Sequence, residues 1–223
     1  MLLKILNKRR NSLKKKYIIF DFDGTVADTN KLIVDAWQHI FLHYRGKKED
    51  ESKIYHTFGE TLEYSISNMI PEADTASAIA KYRDYQKMHN QRKELFPGIR
   101  DLLIELRKKD VVQAIVTSRT KKTTNEYMKD LNVEDYFDLI ITCDDVHVHK
   151  PDPLPLIMAL DKLGATKEES LMVGDTRFDI GCANNAGVDS ALAGWSKAFS
   201  DEDLAICTPT YRLNNPEELL NIV

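Results

Sequence analysis

The 223-residue chain contains no apolar run approaching the roughly 18 residues that a membrane span needs. Cysteine is scarce. Cys143, Cys182 and Cys207 stand far apart, odd in number and without a Cys-x-x-Cys pair. That excludes a disulfide framework and a zinc spacing, and it fits a reducing compartment, so the expected location is the cytoplasm. The opening residues MLLKILNKRRNSLKKK lack the apolar stretch of a secretory signal. Compositional bias is missing as well: 43% hydrophobic and 30% charged residues exclude disordered and collagen-like chains. The length suffices for one large domain or for a domain carrying an insertion.

The basic charge concentrates at one end. Residues 1–16 hold Lys4, Lys8, Arg9, Arg10, Lys14, Lys15 and Lys16 and no acid, leaving 24 basic against 35 acidic residues in the rest. An acidic body argues against nucleic acid as a partner, because phosphate contacts need a basic face. The basic segment reads as a solvated leader ahead of the first strand.

From residue 17 the chain alternates short apolar runs with helical patterns, the mark of βα units and a parallel sheet. YIIF (17–20), VQAIV (112–116), LIIT (139–142), LMVG (171–174) and SALAG (190–194) read as strands, with TYRL (210–213) a weaker one. Ile99, Leu102, Leu103 and Leu106 follow helical spacing, as do Leu156, Ile157, Leu160 and Leu163, with Gly164 as a stop. About ninety residues between the first two strands hold no convincing strand. They carry helical stripes at 31–44, 60–70 and 75–92, and Pro97-Gly98 marks the return. Residues 29–94 are expected to form a second, all-helical lobe, joined through short segments near 27–30 and 95–98.

The chemistry-bearing residues cluster after the strands. Asp21-Phe22-Asp23-Gly24-Thr25 follows YIIF directly. At average usage, Asp-x-Asp-Gly-Thr arises by chance in on the order of one per few hundred chains. A polar turn would explain Gly24 but neither carboxylate. Thr117-Ser118 follows QAIV, Lys150 lies in the loop after LIIT, and Asp175 follows LMVG with Asp179 four residues on. Ligands of open parallel sheets bind at the carboxyl ends of the strands, so four loops bring these groups to one edge. Close carboxylates repel unless a cation lies between them, and an oxygen-only set favours Mg²⁺ over zinc. The set suits phosphoryl transfer. Mg²⁺ and Lys150 would offset the charge of a phosphate while Thr117 and loop amides hold its oxygens. Asp21 would attack phosphorus, and Asp23 would protonate the leaving oxygen and later deprotonate water.

These residues resemble a known family. DFDGT, VTS, the lysine of HKPDP, and GDTRFD match in order the four motifs of the haloacid dehalogenase (HAD) superfamily, over about residues 17–223. The resemblance implies an α/β fold: a Rossmann-like three-layer parallel-sheet core (17–28 and 95–223) with an inserted all-helical cap (29–94). Such a cap looks like that of subfamily I, the branch of phosphoglycolate phosphatases and β-phosphoglucomutases. By resemblance Asp21 is nucleophile and metal ligand, and Asp23 is acid/base and gives its backbone carbonyl to Mg²⁺. Thr117 and Lys150, with Gly24 and Ser118 beside them, bind the phosphoryl group. Asp175 completes the metal site with Asp179 in support. Within the branch, TNKLI, TFGETLE, YRDYQKMHN and DDVHVHKPDPLPL look most like the bacterial pyrophosphatases of this fold. The basic leader departs from the family pattern.

A small anionic phosphate compound is therefore the expected substrate, with pyrophosphate first and phosphoglycolate or a sugar phosphate behind. No nucleic acid or membrane is expected as a partner, and the chain is expected as monomer or dimer. The resemblance points to Phe58-Gly59-Glu60 as the cap loop reading the leaving group, although Glu60 equally suits the start of the next helix. Arg83 and Lys87 are cap cations available for a second phosphate. A phosphomutase with the same carboxylates remains an alternative, as does a non-catalytic binding module. Asp23 speaks against a dehalogenase. His147 and His149 read as surface or loop-packing residues, Asp144-Asp145 as a solvated turn, and Met69, Met88, Met128 and Met158 as core. Trp195 and Tyr211 are expected to cover the sheet's edge.

Overall fold

The computed structural model describes residues 14–196 and 198–223. Six parallel strands form the central sheet: β1 (Tyr17–Phe20), β4 (Val112–Val116), β5 (Leu139–Ile141), β6 (Ser170–Gly174), β7 (Asp189–Ala193) and β8 (Tyr211–Leu213). Their spatial order is β5-β4-β1-β6-β7-β8. β1 lies between β4 and β6, with Ile19 paired to Ala114 on one side and Met172 on the other.

The strands read as unbroken apolar runs because both sheet faces are covered. Alternation divides each run between two cores. Ile18, Phe20, Ile115, Leu171 and Val173 pack on one face with Leu102, Leu103 and Leu106 of α5 (Ile99–Lys108). Ile19, Ala114, Val116 and Met172 pack on the other with Leu156 and Leu160 of α7 (Leu154–Leu163) and Cys182 and Ala183 of α8 (Arg177–Ala186). Each buried Leu or Ile is worth roughly 1.5–3 kcal/mol relative to exposure. α6 (Lys121–Leu131) follows β4, and the short α9 (Asp201–Ile206) precedes β8.

Between β2 (Ala27–Asp28) and β3 (Glu94–Leu95) lie four helices: α1 (Asn30–Arg45), α2 (Glu51–Tyr55), α3 (Leu62–Met69) and α4 (Thr75–Met88). They share a core of their own around Trp37, Phe41, Ile54, Ile66 and Tyr82. Trp37 stacks on Phe41 at 5.6 Å and meets the Tyr82 ring edge-on at 5.8 Å. Two features carried no sequence signal. β2 and β3 pair antiparallel and tie together the two ends of the helical segment. The five-residue α2 starts at Asp50, whose side chain accepts from the Ser52 amide. Both are too short to show a period.

Two expectations fail. Met88 is 65% exposed, because the buried stripe of α4 runs Ala78, Tyr82, Gln86, and Met88 lies two positions off it. The leader is not solvated up to residue 16. Lys15 is 2% exposed and donates to Asp189 and to the Glu168 carbonyl, both at 2.7 Å, while Lys16 pairs with Glu169. A lysine just before β1 finds acceptors at the amino ends of the neighbouring strands, and burial follows. Residues 1–13 lie outside the described residues. No described helix is long and apolar enough to cross a membrane, and all three cysteines are free.

Candidate active site

Asp21 stands where β1 ends, its amide bonded to the Val173 carbonyl of β6 at 2.8 Å. It is 4% exposed. Lys150, brought by the loop after β5, donates to Asp21 Oδ1 at 2.8 Å, to Asp179 Oδ1 at 2.5 Å and to the Val116 carbonyl at 3.3 Å. All three donors of the ammonium are thereby used inside the protein. Asp179 is itself fixed, since its Oδ2 accepts from the Thr176 amide and hydroxyl in a capping box at the start of α8. Asp175, at the end of β6, accepts from Ser196 at 2.6 Å and from Thr25 at 3.3 Å.

Asp21, Asp175 and Asp179 each offer an oxygen within 4.8 Å of the others. Burial is the main force on the first two. It pushes the Asp21 carboxyl up to about 7 against the pull of Lys150, and it holds Asp175 well above the carboxylate range, with Asp179 and Asp21 adding to the shift. Burial disfavours the Lys150 charge, but Asp179 and Asp21 outweigh it and raise the ammonium. A buried, oxygen-only, mutually repelling set of this kind fits a divalent cation.

Gly24 has φ +75°, and a Cβ there would lie 2.1 Å from Asp175 Oδ2. The absence of a side chain there lets the Asp175 carboxylate approach the backbone. The Asp23 side chain lies apart from the acidic cluster. Thr29 donates to its Oδ1 at 2.6 Å, and Arg119 Nη1 reaches both its oxygens at 2.9 and 3.0 Å. Thr117 is buried, with its hydroxyl accepting from the Arg119 amide. Ser118 donates to the Gly59 carbonyl at 2.6 Å.

A cleft of about 300 Å³ separates this edge from the helical segment and is lined by Asp21, Asp23, Thr117, Ser118 and Arg119 below, and by Phe58, Gly59, Glu60 and Arg83 above. Gly59 has φ +94°, and a Cβ there would meet Thr176 Oγ1 at 2.7 Å, so the loop lies directly on the Asp175–Asp179 turn. Glu60 is taken up by Ser65, which donates to it at 2.6 Å. Lys87 is exposed and does not line the cleft. His149 lines it and His147 is exposed. Asp145 is more than a solvated turn residue, because it caps Thr142. Trp195 packs against the core and donates to the Thr25 carbonyl.

Sequence reasoning missed Arg119, Thr29 and Ser196. Arg119 directly follows Thr117-Ser118 at a strand's carboxyl end, so the rule that found its neighbours could have found it. Thr29 and Ser196 reach Asp23 and Asp175 only through tertiary packing.

A parallel sheet whose strand ends gather three buried aspartates and a buried lysine beneath a helical insertion defines a phosphatase-type hydrolase of the haloacid dehalogenase fold. The family model for haloacid dehalogenase-like hydrolases matches residues 18–193, and the chain belongs to that family. The pyrophosphatase PpaX of Halalkalibacterium halodurans is 34% identical over 208 residues, covering 92% of this chain and 95% of that protein. Among solved structures, a provisionally named haloacid dehalogenase-like hydrolase of Bacteroides fragilis superposes with a TM-score of 0.83 at 28% identity, covering 92% of this chain and all of that one. A provisionally named phosphoglycolate phosphatase of Lactobacillus plantarum gives 0.83 at 26% identity, covering 95% and 100%.

Proposed function

We propose that the chain is a Mg²⁺-dependent phosphohydrolase of a small phosphorylated compound, with pyrophosphate the first candidate and phosphoglycolate or a sugar phosphate next. The observation that carries this reading is Lys150, buried and bonded to both Asp21 and Asp179 beside Asp175. A phosphoryl group entering the cleft would meet the Thr117 hydroxyl and the Asp21 carboxylate, with the Lys150 charge directly behind Asp21. Lys150 holds Asp21 Oδ1, which leaves Oδ2, with no hydrogen bond among the described residues, to act on phosphorus. The Asp21–phosphorus bond forms as the bond to the leaving oxygen breaks, giving an aspartyl-phosphate, and Asp23 supplies the proton that the leaving oxygen takes. Asp23 then takes a proton from water, whose oxygen displaces Asp21 from phosphorus. Asp21, Asp175 and the Asp23 main-chain carbonyl would hold Mg²⁺, whose charge offsets the repulsion between carboxylates and phosphate.

Residues 29–94 serve as the cap, with 17–28 and 95–223 as the core. The cap excludes water during attack by Asp21 and readmits it for the second step. Three unpaired cysteines fit a cytoplasmic enzyme. The test is phosphate release across about a hundred metabolites, pyrophosphate included, with and without EDTA. Full activity in chelator, or turnover of phosphoproteins or nucleic acids alone, would overturn the reading.

A further inference from the structure

A chain of three side chains runs from the helical insertion into the acidic cluster. Asn30 is the first residue of α1, two positions beyond β2. Its Nδ2 donates to Ser196 Oγ at 2.8 Å, across 166 positions of sequence. Ser196 Oγ in turn donates to Asp175 Oδ2 at 2.6 Å. Ser196 is 7% exposed and Asp175 1%, so both bonds are shielded from water.

The direction of the chain follows from what each group can do. A carboxylate that ligates a cation is ionised and only accepts, so the single Ser196 proton goes to Asp175. The serine oxygen can then only accept from Asn30, which turns the amide so that Nδ2 faces it. Asn30 Oδ1 is left buried with no hydrogen-bond partner among the described residues. A buried acceptor without a donor destabilises the fold, and an apolar side chain in its place would avoid that cost. The bond to Ser196 is what the amide contributes instead.

The serine is held at a fixed place. In the loop after β7, the Gly194 amide donates to the Leu213 carbonyl at 2.8 Å, and the Ser196 amide donates to the Ala193 carbonyl at 3.2 Å. Between them, Trp195 Nε1 donates to the Thr25 carbonyl at 2.9 Å. Asp175 has one further side-chain donor, Thr25, at 3.3 Å on Oδ1. Donors on both oxygens set the plane of the carboxylate, and with it the lone pairs turned toward Asp21 and Asp179. Ser196 makes the shorter of the two bonds. Partners of this kind orient a metal ligand without touching the metal.

We propose that Ser196 and Asn30 are positioning residues for the divalent cation, holding the Asp175 carboxylate in its ligating orientation, so that the first residue of α1 takes part in metal affinity. The inference rests on the proposed metal site and extends it beyond the ligands to the helical insertion. Because Asn30 moves with α1, metal binding and the placement of that helix are linked in both directions.

The experiment measures Mn²⁺ binding without substrate, by the paramagnetic resonance signal of the free ion, in the full chain. It uses wild type, Ser196→Ala, Ser196→Thr, Asn30→Ala and the double alanine variant. Unfolding midpoints in EDTA register any loss of structure separately from loss of metal. Ser196→Ala raises the dissociation constant roughly 10- to 100-fold, and Ser196→Thr, which keeps the hydroxyl, recovers most of that. Asn30→Ala raises it about fivefold, the worth of one neutral hydrogen bond. The double variant binds as Ser196→Ala does, because Asn30 reaches Asp175 only through the serine. Dissociation constants unchanged in both single variants, losses that multiply in the double variant, or lower midpoints in EDTA with unchanged Mn²⁺ binding would overturn the proposal. A wild type that binds no Mn²⁺ removes the metal site itself and the positioning role with it, a failure visible before any substitution is made.

Discussion

Asp21 and Gly24 lie three positions apart, and each can be tested alone. Asp21→Asn keeps the shape but removes the charge that attacks phosphorus. On the proposed mechanism kcat falls by several orders of magnitude, since losing a covalent nucleophile costs up to about 10⁶. A variant within tenfold of wild type in phosphate release would remove Asp21 from that role. Gly24→Ala acts differently. The added Cβ falls 2.1 Å from Asp175 Oδ2 at φ +75°, so the Asp175 carboxylate must move. Thermal unfolding should show a loss of about 1–3 kcal/mol from the backbone strain alone, and, if the proposed metal site is right, half-maximal activity should need more Mg²⁺ than in wild type. Tyr127→Phe is the contrasting case. Its buried hydroxyl faces the Arg119 guanidinium, so thermal unfolding of the variant should show a change of no more than about 1.5 kcal/mol, because the ring still packs against Arg119 and Lys93.

At the scale of elements, the loop between α2 and α3 meets the core through named bonds. Ser118 donates to the Gly59 carbonyl at 2.6 Å, and Arg177 Nη2 donates to the His56 carbonyl at 3.1 Å. These bonds join the helical segment to the loops after β4 and β6. Ser118→Ala removes one of them, worth about 0.5–1.5 kcal/mol. If the segment closes as a cap, small-angle scattering of this variant should show a larger radius of gyration than wild type, and a phosphate mimic should narrow the difference. An identical profile in all four conditions would count against closure. Any such movement would concentrate at the β2–β3 pair, because it ties together the two ends of the helical segment.

Across the whole molecule the chain's basic opening segment joins the fold earlier than its charge suggests. Lys15 pairs with Asp189 across 174 positions, and its side chain is 1% exposed. Replacing it with alanine leaves the Asp189 carboxylate, 12% exposed, short of its cation. Urea unfolding of Lys15→Ala should show a loss of about 2–3 kcal/mol. A loss below 0.5 kcal/mol would mean that the pair contributes nothing to the fold.

Local chemistry was enough to read the parallel sheet and the four polar loops. Apolar runs such as YIIF and VQAIV are legible because a strand buried on both faces needs them in one stretch. Asp21, Thr117, Lys150 and Asp175 are legible because ligands gather where such strands end. The helical stripes of α1, α4 and α5 are legible for the same local reason, since a period of 3.6 is written in neighbouring residues. Partnerships between distant residues are not. Arg119 meets Asp23 from 96 positions away, Gly24 is required by a carboxylate 151 residues later, and Met88 is exposed through the rotation of its helix against the others. β2 and β3 pair only because the chain returns beside its own start. Burial and pairing of this kind are properties of packing in three dimensions, and they arise only once the sheet and the helices have met.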